Sequence, residues 1–319
     1  MPQILLVKTS SLGDVIHNLP VVNDIRRELP GAEIDWVVED ALEAIPRLHG
    51  GVRTVIPASP RRWRAAFWRS GVRGEMRAFR RRIQAARYDA VLDTQGLVKS
   101  ACIAWLARGP RFGLDFASAR EPLALFYDRT FSVPWTLHAV ERNRSLAAQA
   151  LGYRCNGAPD YGIVAASERA PWLPRGDYAV LVHSSSNAHK LWDERDWVRL
   201  GAHLRGKGLA AVLPWWGPAE RERSERLAQQ IEGARIAPAL GLAECARVIA
   251  GSRAVIGVDS GLTHLAAALK VPVIGIYRAT DPAATGICPG GGPALNLGAI
   301  GRAPSAAEVI AGFDSLRAA

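Results

Sequence analysis

Short apolar runs alternate with amphipathic stretches along the whole chain, and that alternation restricts the possible folds more than any other feature. Residues 4–7 (Ile4-Leu5-Leu6-Val7) form the first run. Val15, Leu19, Val22, Ile25 and Leu29 follow at three- and four-residue steps, the spacing of one helical face. Pro30-Gly31 ends that stretch. Residues 34–38 and 90–93 read as further buried strands with helical patterns between them. In the second half, strands are expected at 178–182, 210–214, 254–258 and 273–277, with helices at 194–204, 220–231, 243–250 and 262–269. Strands that are apolar throughout and separated by helices belong to parallel sheets covered on both faces. The expected class is α/β: two Rossmann-like, doubly wound domains facing a central cleft. A chain of 319 residues is too long for one ordinary core and fits two domains of about 150 residues. The proline- and glycine-bearing stretch 154–176 is the linker candidate, which puts the domains at 1–160 and 161–319. Ligands of such sheets bind beyond the carboxyl ends of the strands, so the loops there hold the candidate chemistry.

The net charge of +10 favours anionic partners, whether nucleic acid, a phosphorylated substrate or an acidic membrane face. Most of the excess is local. Residues 61–87 carry ten arginines against the single acid Glu75, with Trp63, Phe67 and Trp68 interleaved. Many of these arginines simply face solvent. A polyanionic acceptor or an acidic bilayer surface is the sharper reading, because the guanidinium fork suits phosphate and carboxylate. Nucleic acid would also fit basic residues among aromatics, but no helix-turn-helix, RRM or OB signature accompanies them. The four cysteines (Cys102, Cys155, Cys245 and Cys288) show neither CxxC nor zinc-finger spacing and read as free thiols in a reducing compartment. No secretory signal opens the chain, and no run reaches the roughly 18 apolar residues of a spanning helix. The expectation is a cytoplasmic protein that touches a membrane only at its surface.

Three loops follow expected strands. The first is Lys8-Thr9-Ser10-Ser11-Leu12-Gly13-Asp14. Its spacing is not that of a P-loop. Asp14 serves equally as a helix cap or as a carboxylate that takes a proton from a substrate hydroxyl. The second is Asp259-Ser260-Gly261-Leu262-Thr263-His264, a strand-turn-helix whose exposed N–H groups suit a diphosphate. The third is His183-Ser184-Ser185-Ser186-Asn187-Ala188-His189-Lys190-Leu191-Trp192, whose serines, Asn187 and Lys190 can bond phosphate oxygens. No histidine spacing and no DxD pair offers a metal site. Cations and helix dipoles are therefore expected to do the work of a metal, and no cofactor is expected.

Together and in this order, these segments resemble the bacterial lipopolysaccharide heptosyltransferases of glycosyltransferase family 9, most closely the heptosyltransferase I branch. Further segments carry the likeness: Asp35-Trp36-Val37-Val38-Glu39, Arg61-Arg62-Trp63-Arg64, Asp93-Thr94-Gln95-Gly96-Leu97-Val98-Lys99-Ser100, Ala119-Arg120-Glu121-Pro122-Leu123, His138-Ala139-Val140-Glu141-Arg142 and Thr280-Asp281-Pro282. The resemblance implies a GT-B fold with the acceptor on the N-terminal domain and the donor on the C-terminal one. It implies ADP-heptose as donor, the Kdo of Kdo2-lipid A as acceptor, inversion at the anomeric carbon, and contact with the cytoplasmic face of the inner membrane. It implies Asp14 as general base and Ser185, Ser186 and Lys190 on the diphosphate. Glu220 would meet the adenosine ribose and Leu240 the adenine. Asp259 would hold heptose hydroxyls, with Ser260, Gly261 and His264 beside the diphosphate. Arg61, Arg62, Arg64 and Arg120 would take the anionic acceptor. Serines 185 and 186 stand where the family favours threonine, and Leu240 where methionine is frequent. The glycine-rich segment 286–298 matches poorly and receives no role. The alternatives are a transferase of the heptosyltransferase II or III type with another core acceptor, or a basic nucleic-acid-binding protein.

Overall fold

The structure is a computed structural model that describes residues 1–167 and 170–318. Glu168 and Arg169, within the expected linker, lie outside the described residues. Contacts divide the chain into two compact units, Met1–Ile163 and Val164–Ala319, and each is described by itself.

The strands of the first unit are β1 (Gln3–Val7), β2 (Glu33–Glu39), β3 (Val52–Ala58), β4 (Ala90–Asp93), β5 (Arg111–Leu114) and β6 (Arg129–Phe131). They form one parallel sheet in the order β3-β2-β1-β4-β5-β6. The helices are α1 (Leu12–Ile16), α2 (Leu19–Glu28), α3 (Ala44–Arg47), α4 (Pro60–Ala66), α5 (Ser70–Ile83), α6 (Val98–Leu106) and α7 (Ala139–Leu151). The strands of the second unit are β7 (Tyr178–Val182), β8 (Ala210–Leu213), β9 (Arg235–Ile236), β10 (Ala254–Val258), β11 (Val273–Tyr277) and β12 (Ala294–Gly298). They form a second parallel sheet in the order β12-β11-β10-β7-β8-β9. Its helices are α8 (Glu194–Gly206), α9 (Pro218–Gln230), α10 (Leu242–Ala250), α11 (Gly261–Ala268), α12 (Pro282–Thr285) and α13 (Ala306–Ala318).

Both sheets repeat one winding. From its first strand the chain lays two more strands outward on one side, then returns and lays three on the other. Strand order reverses between β1 and β4 in the first unit and between β7 and β10 in the second. Loops leaving the carboxyl ends of these two strand pairs diverge and leave a crevice, the usual ligand position in such sheets. β1, β7, β10 and β11 are buried almost without interruption, as expected for strands roofed by helices on both faces.

The helical stretch expected across residues 15–29 is two helices. Pro20 lacks an amide proton and its ring would collide with the carbonyl of Ile16. The chain therefore stops at α1, turns at His17-Asn18, and restarts with Pro20 near the N-terminus of α2. Pairing adds strands that periodicity did not suggest. β5 and β6 are three or four residues long and alternate poorly, and β12 lies inside the glycine-rich segment, paired along its length with β11. All four cysteines are free thiols. Among the described residues no helix is long and apolar enough to cross a membrane.

Candidate active site

In the first unit the reversal point is built on hydrogen bonds between the loops after β1 and β4. Asp93, fully buried at the end of β4, accepts bonds from the backbone N–H groups of Gln95 (2.8 Å) and Gly96 (3.2 Å) and from the Tyr127 hydroxyl (2.8 Å). Gly96 takes a φ of +67° that a side chain would resist. This tight turn aims the Gln95 Oε1 back at the first loop, where it accepts from the N–H groups of Thr9 (2.9 Å) and Ser10 (3.1 Å). The Trp36 indole donates to the Lys8 carbonyl at 3.0 Å. Asp35 and Trp36 thus act on the fold, since Asp35 itself holds Arg53 through two bonds and accepts from Tyr88.

Asp14 occupies the third position of α1, and Ser11 is the N-cap. Its Oδ2 accepts from both the amide and the hydroxyl of Ser11, each at 2.9 Å. The cap interaction is therefore present, and it does not exhaust the carboxylate, which also lines a pocket. Lys8, Thr94, Gln95, Leu114, Ser118, Arg120, Trp135, Ala139, Arg142, Asn143 and Leu146 complete the lining. Asp14 is the one acid among these twelve residues, against three cations. Burial pushes the Asp14 carboxyl up, but Lys8, the Ser11 bonds and Arg120 together hold it below the usual carboxylate range. It is therefore ionised at neutral pH and able to accept a proton. Burial and the neighbouring Arg120 pull Arg142 down. The Arg142 guanidinium stacks on Trp135 at 3.8 Å and donates to the carbonyls of Ser118, Val133 and Pro134. It fixes the loop that carries Arg120. Sequence reasoning assigned no role to Lys8, Gln95, Arg142 or Asn143. Lys8, Gln95 and Arg142 stand in the matching segments and Asn143 directly follows one, which was the available signal, but contact across the sheet is not legible from spacing.

The arginines expected to take the acceptor divide. Arg120 has no carboxylate partner among the described residues and lines the Asp14 pocket. Arg62 is engaged, with Glu75 at 3.0 Å, Asp40 at 3.2 Å and the Ser59 hydroxyl at 3.0 Å. Arg61 lies 3.6 Å from Glu39. Arg64 is exposed and has no acidic partner among the described residues. Phe67 and Trp68, between α4 and α5, are 60% and 59% exposed.

In the second unit the reversal point joins the loops after β7 and β10. Lys190 Nζ lies 2.7 Å from Asp259 Oδ2, which also accepts from the Thr280 hydroxyl at 2.6 Å. His264 Nε2 stands 3.5 Å from Asp259 Oδ1. Burial opposes the charge on Asp259, but these three partners hold its carboxyl far below the usual range. Ser260 caps α11, and its hydroxyl lies 3.2 Å from that of Thr263. A β-carbon at Gly257 would strike the Thr263 hydroxyl at 2.2 Å, so this glycine lets α11 start directly over the strand. Ser185 reaches the Asp259 carbonyl at 3.5 Å, while Ser186 is exposed. Glu220, in the first turn of α9, accepts from the Trp216 amide at 2.7 Å, and burial raises its carboxyl. Leu240 lines a small apolar pocket with Val180, Val212 and Leu262. His183 is buried between the hydroxyls of Ser184 (2.7 Å) and Ser224 (2.8 Å), and burial lowers it to about 3. It is a neutral core histidine. Among the described residues no group of three or more His, Cys, Asp or Glu side chains could hold a metal ion.

Known proteins resemble this chain over most of its length. Residues 76–303 match the model of glycosyltransferase family 9 (heptosyltransferase). Lipopolysaccharide heptosyltransferase 1 of Pseudomonas aeruginosa is 46% identical over 287 residues, spanning 89% of this chain and 81% of its own. The protein of that name from Escherichia coli K12 is 44% identical over 289 residues, spanning 89% and 90%. Among solved structures, E. coli heptosyltransferase WaaC with ADP aligns at a TM-score of 0.89 and 40% identity, covering 98% of this chain and 99% of that one. E. coli ADP-heptose lipopolysaccharide heptosyltransferase II aligns at 0.79 with 18% identity, covering 98% of each, a likeness of fold alone. The two parallel six-stranded sheets and these matches make the fold GT-B. The chain belongs to glycosyltransferase family 9, the heptosyltransferases.

Proposed function

We propose that this chain is an inverting heptosyltransferase that moves L-glycero-D-manno-heptose from ADP-heptose to a Kdo hydroxyl of Kdo2-lipid A in inner-core lipopolysaccharide synthesis. The single observation that carries the reading is Asp14, one ionised acid in a pocket otherwise lined by cations and neutral groups. An anionic sugar acid suits such a lining, and its hydroxyl needs one base. Identity of 44–46% to proteins named lipopolysaccharide heptosyltransferase 1 supports the Kdo acceptor over the acceptors of the other core heptosyltransferases. A solved structure of WaaC with ADP-2-deoxy-2-fluoro heptose, 40% identical to this chain, supports the donor.

In this reading residues 1–160 take the acceptor and 161–319 the donor. The acceptor hydroxyl attacks the anomeric carbon from the face opposite the leaving group, giving inversion. Asp14 receives the hydroxyl proton as the new bond forms. ADP departs with both electrons of the old bond. Lys190 and the N–H groups opening α11 at Ser260 and Gly261 stabilise its growing charge. Ser185 and Ser186 bond the diphosphate, His264 stands beside it, and Asp259 holds heptose hydroxyls. Glu220 meets the ribose and Leu240 the adenine. Arg61, Arg62, Arg64 and Arg120 take the acidic acceptor. No metal enters the scheme. The exposed arginines of α4 and α5, with Phe67 and Trp68, suit contact with the acidic cytoplasmic face of the inner membrane.

The test is mass-resolved transfer from ADP-heptose onto Kdo2-lipid A, with and without EDTA. Heptosylated product at equal rate in both is expected. Product only on an already heptosylated core would move the enzyme to the second type. Inhibition by EDTA that Mg2+ reverses would remove metal independence.

A further inference from the structure

Lys8 is 6% exposed, and a buried ammonium carries a large desolvation cost unless its charge is answered. Its two hydrogen bonds go to uncharged oxygens, the Thr94 carbonyl at 2.7 Å and Asn143 Oδ1 at 3.3 Å. Asn143 is held in turn by donating to the His17 carbonyl at 3.2 Å. The Lys8 carbonyl is pinned by Trp36. The side chain is thus fixed at both ends, and its head lines the pocket of Asp14. Among the described residues no lysine or arginine forms an ion pair with Asp14. The second unit does the opposite, with Lys190 in direct contact with Asp259. A direct pair would occupy the lone pairs that a base must offer to its substrate. A cation tied to neutral acceptors supplies the field and leaves those lone pairs to the acceptor hydroxyl.

We propose that Lys8, oriented by Asn143 and the Thr94 carbonyl, is a positioning residue that keeps Asp14 ionised while a bound acceptor excludes water from the pocket. The inference rests on the assignment of Asp14 as base and adds a residue to it. The other charged groups at this point are Arg120 and Arg142, which also favour the carboxylate, and Asp93, whose oxygens are bonded to Tyr127, Gln95 and Gly96. His17 and His138 pack edge to face at 5.5 Å beside α1 and the start of α7. Burial of Lys8 lowers its own affinity for a proton, while Asp14 and Asp93 raise it. The lysine and the aspartate therefore stabilise each other's charge. When Asp14 takes the acceptor proton that mutual stabilisation is lost, which favours release of the proton to solvent once product leaves.

The experiment replaces Lys8 with methionine, which keeps the length and removes the charge. The Asp14 carboxyl is followed by 13C NMR across pH, its signal assigned by its loss in Asp14→Asn. Without the lysine the midpoint should rise by about one pH unit or more. The acid limb of kcat/KM should move the same way, with ADP affinity unchanged. A midpoint and limb that stay where they are in the parent would overturn the proposal. Should Lys8→Met not fold, Asp14→Asn reads the same coupling from the other side, because such coupling is reciprocal. The Lys8 ammonium, followed by 15N NMR, should then titrate at lower pH, and an unchanged titration would overturn the proposal. A parent enzyme that transfers nothing to Kdo2-lipid A would sink the functional reading instead. The NMR titrations use no substrate and would still decide the lysine's role.

Discussion

Lys190 and Asp259 form an ion pair at 2.7 Å across the two loops of the second unit's reversal point. Thr280 shares the same carboxylate oxygen and His264 faces the other. The lysine's charge is thus answered by an acid, with which a bound diphosphate would compete. Freeing it should strengthen binding of bare ADP. Asp259→Asn is expected to tighten ADP by roughly fivefold, the order of a partly buried pair worth about 1 kcal/mol, while heptose transfer falls. Lys190→Ala should weaken ADP by about tenfold or more. Calorimetric titration with ADP checks both. Equal weakening by the two substitutions would show that the pair acts as a unit on the nucleotide and does not compete with it.

Asp14→Asn separates two roles of one side chain. Asparagine still accepts from the Ser11 amide, so the start of α1 survives, but it cannot take a proton. Turnover should fall by about 10²- to 10⁴-fold with ADP binding intact. Asp14→Ala should lose the same turnover and also some stability, about 1 kcal/mol for a lost cap interaction. In the parent the carboxyl lies below its ordinary range. Activity should therefore hold as pH falls to about 5, and fall only where Asp14 protonates. An Asn variant that keeps a tenth of parental turnover would return Asp14 to a purely structural place.

Much of this architecture is legible in the residue order. Ile4–Val7, Ala254–Val258 and Val273–Tyr277 are short apolar runs that read as roofed strands, and the structure has them in β1, β10 and β11. The loops after β1, β7 and β10 follow from those strands and the rule for parallel sheets. β6 and β12 were not legible, because edge strands draw their order from a neighbour rather than from their own pattern. The engagement of Arg62 by Glu75 and Asp40 was equally hidden. Ten arginines in one segment look alike until folding decides which of them meet an acid. The Gln95 bridge to Thr9 and Ser10 spans more than eighty residues of chain, so no local spacing announces it.

Two buried histidines predict acid sensitivity. His183, between two serine hydroxyls, is lowered by burial to about 3. His49, which accepts from the Gly51 amide, is lowered by burial and Arg26 to about 4. Both stay neutral in the folded chain, while the unfolded chain protonates them near pH 6.5. Below that pH the unfolded state binds more protons, so their contribution is complete above pH 6.5 and is lost as pH falls towards the folded values. Each costs up to about 1.4 kcal/mol per pH unit across that window. Urea unfolding at pH 7.5 and 5.0 measures it. His183→Asn should flatten the slope between those two values, and an unchanged slope would mean the imidazole is protonated in place.

Arginines with and without acidic partners should behave differently towards the acceptor. Arg120 lines the Asp14 pocket and has no carboxylate of its own among the described residues. Arg62 is tied to Glu75 and Asp40. An anionic acceptor gains a full charge-assisted contact from the first and must compete for the second. Arg120→Ala should raise the acceptor KM by about tenfold or more, the cost of a lost bond to a charged group, and leave the donor KM alone. Arg62→Ala should raise it by no more than about threefold, its pairs being exposed and weak. Arg64→Ala should fall between them. Steady-state kinetics with Kdo2-lipid A varied at saturating donor reads the three. If Arg62→Ala proves as damaging as Arg120→Ala, the acceptor displaces Glu75 and Asp40, and the engaged arginines of α4 belong to the site as fully as the unpaired one.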